Sequence, residues 1–186
     1  MRSDQELQEK AMTLLRTAQI SNAPVEVEPL LRCLNVEVRY EEGDDDVSGG
    51  LYRLPDGPII GVNSHHSHPR QRFTIAHEIG HLLLHDLPVF VDESFELPPD
   101  GVNSQREQPT FRRDTISSLA IDPVEIEANK FAASLLMPLA FLRVDLAQVP
   151  QPLRADSVKE LAARYKVSQL AMVLRLTNLG VPVDQA

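Results

Sequence analysis

One segment constrains this chain more than any other. From Pro69 to about His85 it reads as a helix with scarcely a polar side. Phe73, Ile75, Ala76, Ile79, Leu82, Leu83 and Leu84 are spread around it, and a helix apolar on most of its circumference is largely buried. His77, Glu78 and His81 lie inside the same segment. Burying two imidazoles and a carboxylate is costly unless each has a partner, so a chain that keeps them there uses them.

The spacing says how. Residues four apart share a helix face, with Cβ atoms roughly 5–6 Å from each other. Two imidazoles so placed can reach one zinc ion at about 2.0–2.1 Å. Glu78 follows the first histidine and leans over the same face, where it can take a proton from a water that the metal activates. His85 is four beyond His81 but about 80° round the helix from His77, so one metal fits all three poorly. It reads as a helix C-terminal residue that either supports the site or faces substrate. The remaining histidines, His65, His66 and His68, precede Pro69 and read as a solvated loop.

A catalytic zinc takes three protein ligands and keeps one position open. Cys33 is a poor third ligand, since it sits among leucines and reads as a small core residue. The stretch Pro123-Val124-Glu125-Ile126-Glu127-Ala128-Asn129 is a better source. It opens a helix whose apolar stripe is Ala128, Phe131, Ala132, Leu135 and Leu136. Glu125 and Asn129 share a face next to that stripe, whereas Glu127 lies about 200° from Glu125. Periodicity therefore assigns Glu125 as third ligand, with Asn129 placed to bond a ligand side chain and fix its tautomer. Compensation of the helix dipole is the competing account of Glu125.

Around these two helices the chain reads as strands first and helices afterwards, without βαβ alternation, which is an α+β pattern. Helices are expected at residues 4–18 and 26–34, and strands at 36–40, 48–54 and 58–63. The last two flank the turn Pro55-Asp56-Gly57. Residues 86–122, with Pro98-Pro99-Asp100-Gly101, read mostly as loop. Helices follow at 123–136, 139–147, 156–165 and 168–178. One domain is expected over 1–186, with a catalytic core at 1–138 and a helical C-terminal subdomain at 139–186.

Composition excludes several alternatives. With one cysteine in 186 residues there is no disulfide scaffold and no multi-cysteine zinc site. The polar N-terminus and the lack of an apolar run of about 18 residues argue against export and membrane insertion, so a cytoplasmic protein is expected. The net charge of -9 opposes non-specific DNA binding. Residues 1–138 hold 12 basic and 23 acidic side chains, and the remainder six and four. Val158 to Leu179 has a rhythm similar to a helix-turn-helix, but too few basic residues to read DNA, so it is expected to pack. Tyr40, Tyr52 and Tyr165 are each possible oxyanion donors. No phosphate loop and no G-x-S-x-G occur.

The run Arg70-Gln71-Arg72-Phe73-Thr74-Ile75-Ala76-His77-Glu78-Ile79-Gly80-His81-Leu82-Leu83-Leu84-His85 resembles the signature of the ImmA/IrrE family of zinc metallopeptidases. The run Glu125-Ile126-Glu127-Ala128-Asn129-Lys130-Phe131-Ala132-Ala133-Ser134-Leu135-Leu136-Met137-Pro138 resembles that family's second motif. The hairpin ending at Asn63 and the tail from Val158 to Gly180 are also similar. The resemblance implies a zincin-like core of gluzincin type: a three-stranded antiparallel sheet, a catalytic helix and a glutamate helix. It implies zinc on His77, His81 and Glu125, with Glu78 as base. It further implies a metalloendopeptidase that cleaves a bacterial regulatory protein, a helix-turn-helix repressor, in mobile-element or stress-response control. Some members are instead paired with an Xre-type helix-turn-helix antitoxin, so binding without proteolysis is the alternative. Direct nucleic-acid binding is not expected. Compared with longer members, the chain is expected to lack a separate N-terminal DNA-binding domain. Its 86–122 segment, including Glu96 to Thr110, is expected to cover or shape the cleft.

Overall fold

The computed structural model describes residues 1–86, the strand backbones 89–91 and 111–112, and residues 122–184. Helix α1 (Asp4–Thr17) starts at a capping box, in which Ser3 and Glu6 each bond the other's backbone N–H. It buries Leu7, Ala11, Leu14 and Leu15. Helix α2 (Val27–Leu34) stops where Asn35 takes a left-handed conformation, φ 52°. Strands β1 (Glu37–Glu41), β2 (Gly49–Leu54) and β3 (Gly57–Asn63) follow. Then come α3 (His68–Leu84), two short strands β4 (Val89–Val91) and β5 (Phe111–Arg112), and α4 (Pro123–Leu136). Three helices complete the chain: α5 (Leu139–Leu146), α6 (Ala155–Tyr165) and α7 (Gln169–Asn178). No helix among the described residues is long and apolar enough to cross a membrane.

The architecture is α+β, as the order of elements predicts. The sheet differs from an all-antiparallel one. Its order is β1-β3-β2-β4-β5, with β1 parallel to β3 and β4 parallel to β5. β2 and β3 form the expected hairpin, Leu54 opposite Gly57. That hairpin lays β3, not β2, against β1, so the β1–β3 pair runs the same way. β4 and β5 arise in the stretch read as loop. The rest of that reading, including cover over the cleft, lies outside the described residues.

Helix α3 is buried almost all round because the sheet lies on one side of it and α4 on the other. Glycine sets both distances. At Gly49 a β-carbon would stand 2.2 Å from Gly61 O and 2.8 Å from Thr74 Cγ2, so only glycine lets β2 pair closely under α3. At Gly80 a β-carbon would stand 3.2 Å from Ala128 Cα and 3.3 Å from Ala128 O. In a free helix Gly→Ala stabilises by about 1 kcal/mol. Here the contact is with α4 backbone, which cannot rotate aside. Gly80→Ala is therefore expected to destabilise by about 1–3 kcal/mol, seen as a lower urea midpoint. A raised midpoint would mean that the α3–α4 spacing is not fixed at this glycine.

The C-terminal helices share this core. Val158, Leu161, Ala162, Tyr165, Met172 and Leu176 pack in one apolar cluster with Leu7, Ile75 and Phe131. The helix-turn-helix rhythm is thus a packing rhythm, as expected. Arg72, itself buried, fastens these helices to α3. It donates to Lys166 O at 3.2 Å and Val25 O at 2.7 Å, and stands 3.4 Å from Glu26. Tyr165 donates to Asp145 at 2.8 Å, which commits its hydroxyl to the tail. Burial, reinforced by Asp145, raises its pKa.

Candidate metal centre

His77 and His81 project from adjacent turns of α3, and Glu125 projects from the first turn of α4. The two Nε2 atoms are 2.8 Å apart. Glu125 reaches both, at 3.3 Å from His77 Nε2 and 3.3 Å from His81 Nε2. All three residues are buried, and they are the only such group among the described residues whose donor atoms lie within 4.8 Å of one another. Glu78 is buried beside them, 2% exposed.

Tautomers follow from the outer bonds. His77 Nδ1 is 3.0 Å from Asn129 Oδ1. An amide oxygen only accepts, so Nδ1 carries the proton and Nε2 faces Glu125 with its lone pair. The Glu125 carboxylate and the two Nε2 atoms converge on one point, where a cation placed between them would balance the carboxylate. Three tetrahedral ligands at zinc distance stand about 3.3 Å apart. The two carboxylate–imidazole distances meet that spacing, and the imidazole pair is slightly closer. The cluster fits a metal ion.

The fold brings together the three residues that periodicity named, and it sets Asn129, expected against one of the ligand side chains, beside His77. His85 lies beside the site and outside the ligand cluster, its Nδ1 at 3.1 Å from His81 Nδ1. Two readings need correction. Cys33 is exposed, not a core residue, because α2 turns Val27, Leu30 and Leu31 inward. His66 is buried, with Nε2 3.1 Å from Asp45 O, and His68 is the exposed first residue of α3, so of the three only His65 belongs to a solvated loop. Of the tyrosines left open, Tyr40 is exposed and Tyr52 is buried on β2.

Three residues escaped sequence reasoning. Glu127 is 4% exposed although it lies off the apolar stripe of α4. Its carboxylate accepts from the Arg2 backbone N–H and, at 2.6 Å, from the Arg2 guanidinium, and it lies 3.3 Å from His85 Nε2. Burial works to raise its pKa, but the bonds from Arg2 and His85 outweigh this and hold the carboxyl below its ordinary range. Arg2 also donates to Leu84 O at 2.7 Å. Arg53 of β2 donates to the carbonyls of His81, Leu82 and His85 at 3.2, 3.0 and 2.8 Å. These arginines satisfy the carbonyls that the end of a helix leaves bare, and place positive charge at its negative pole. No single-helix pattern signals them, because Arg2 and Glu127 are 125 residues apart.

A family model described as the IrrE N-terminal-like domain, Peptidase_M78, matches residues 31–177. No curated protein matches the chain. Among solved structures, a Mycobacterium tuberculosis transcriptional regulator superposes with a TM-score of 0.60 at 16% identity. The alignment covers 93% of this chain and 46% of that one, so the chain spans about half the length of its structural neighbour.

Proposed function

The chain belongs to the IrrE N-terminal-like peptidase family, and from that premise we propose that it is a zinc-dependent endopeptidase acting in the cytoplasm on one regulatory protein, a helix-turn-helix repressor. The observation that carries the reading is the convergence of His77, His81 and Glu125 beside buried Glu78. Zinc, when bound, supplies Lewis acidity toward the scissile carbonyl and toward a water. His77, His81 and Glu125 would hold it, with Asn129 fixing the His77 ring. Glu78 takes the proton of the attacking water and returns it to the leaving amine. The position of Glu78 next to a ligand, on a helix clamped between sheet and α4, supports that role. The substrate class is supported by the family resemblance, and the neighbour's description as a transcriptional regulator is compatible with it.

The net charge of -9 also favours association with a basic DNA-binding protein, by steering encounter. One experiment separates cleavage from binding alone. A helix-turn-helix repressor is incubated with the chain, with zinc and with a chelator. Zinc-dependent fragments are expected. A stable, uncleaved complex that forms equally well in chelator would replace the peptidase reading with that of a binding partner.

A further inference from the structure

Next to the proposed ligand His81, three side chains from distant parts of the chain form a line. His81 Nδ1 lies 3.1 Å from His85 Nδ1, His85 Nε2 lies 3.3 Å from Glu127 Oε2, and Glu127 is held by Arg2. The His85 and Glu127 side chains are only 7% and 6% exposed, so water competes little for these bonds. We propose that His85 and Glu127, anchored by Arg2, are positioning residues that fix the tautomer and ring orientation of His81 so that its Nε2 faces the metal as a lone pair. This rests on the metal-centre reading above.

The direction of the bonds follows from what each group can do. Two neutral imidazoles facing through their Nδ1 atoms share one proton between them. If His85 donated it, its Nε2 would be a bare lone pair facing a carboxylate, and His81 would carry its proton on Nε2, where it could not ligate. A carboxylate only accepts. Glu127 therefore requires a proton on His85 Nε2, which leaves His85 Nδ1 as an acceptor and obliges His81 to donate from Nδ1. His81 Nε2 is then bare, as a ligand must be. Arg2 keeps the carboxylate in place through its backbone N–H and its guanidinium, and ties the same corner to the end of α3 through Leu84 O. The two ligand histidines are thus oriented differently. His77 leans on one amide from α4, and His81 on a relay of two residues that ends at an arginine ahead of α1.

Zinc alone, titrated against a chromogenic chelator, tests this in the full chain. His85→Ala is expected to weaken zinc binding about 10–100-fold. His85→Asn, whose amide oxygen lies near the position of Nδ1 and accepts from His81, is expected to recover most of the loss. Glu127→Leu should fall like His85→Ala, and Glu127→Gln, which still accepts, should stay near wild type. Cobalt(II) absorption should change in His85→Ala and return in His85→Asn. The proposal is overturned if folded His85→Ala binds zinc within twofold of wild type while His77→Ala abolishes binding. It is equally overturned if His85→Ala and His85→Asn lose affinity alike with unaltered cobalt spectra, which marks a packing role. If His77→Ala also binds like wild type, the metal centre itself is wrong and the relay falls with it. Should His85→Ala not fold, the Glu127 pair gives the same decision.

Discussion

Glu78→Gln is expected to yield a folded, zinc-binding protein whose cleavage rate is lower by about 10²–10⁴-fold. The substitution keeps size and shape in a site that is 2% exposed, so packing changes little. It removes the one property the mechanism uses, a carboxylate able to hold a proton between water and leaving amine. Glu78 is absent from the ligand cluster, so zinc affinity should stay within a few-fold of wild type. The loss should fall on kcat, because a group that acts only as the proton moves contributes little to ground-state binding. Single-turnover cleavage beside a zinc titration makes both comparisons. A rate within a few-fold of wild type would place the base elsewhere. A parallel loss of zinc would make Glu78 a metal-holding residue instead.

Glu78, His77 and His81 were legible from five consecutive residues because helix geometry is local. A four-residue spacing on an apolar helix fixes the relative placement of side chains before any tertiary contact is known. Gly80 is a different case. Its backbone contact with Ala128 brings α3 and α4 close enough for Glu125 to meet the histidines, yet in the sequence it is only an unfavourable helix residue. The parallel β1–β3 pairing was illegible for a similar reason. Alternation marks a strand and a turn marks a hairpin, but which hairpin edge meets an earlier strand depends on how the sheet receives α3.

Glu127 shows the limit most clearly. Projection on α4 turned it away from Glu125, and it does lie outside the ligand cluster. It is nevertheless buried, because Arg2, just ahead of α1, closes over it and α1 packs on α4. A helical wheel describes one helix against one surface. α4 meets two, α3 on one side and α1 on another, so carboxylates two residues apart are buried for different reasons. The motif containing both glutamates made this ambiguity unavoidable at the level of composition. Only its place beside the apolar stripe, on one face with Asn129, favoured Glu125.

That distinction leads to the second large effect. Glu125→Ala is expected to weaken zinc binding about 10³-fold or more, beyond the 10–100-fold typical of partners that act through a ligand. Linkage turns this into stability. With free zinc at a thousand times the wild-type Kd, binding stabilises the native wild type by about 4.1 kcal/mol, whereas a thousandfold weaker site gains about 0.4. For a chain of this size the difference corresponds to a zinc-induced melting shift smaller by roughly 7–15 °C. The metal-free variant should melt close to the metal-free wild type, since the substitution removes a buried carboxylate that the ion would otherwise balance. Thermal melts with and without zinc, run for Glu125→Ala and Glu127→Ala together, separate the two glutamates. Glu127→Ala, if weakened 10–100-fold, should keep about 1.4–2.7 of those 4.1 kcal/mol, several times what Glu125→Ala keeps. If Glu125→Ala keeps the full shift and Glu127→Ala loses it, the third ligand is Glu127, and the α3–α4 geometry must rearrange on binding to bring it round.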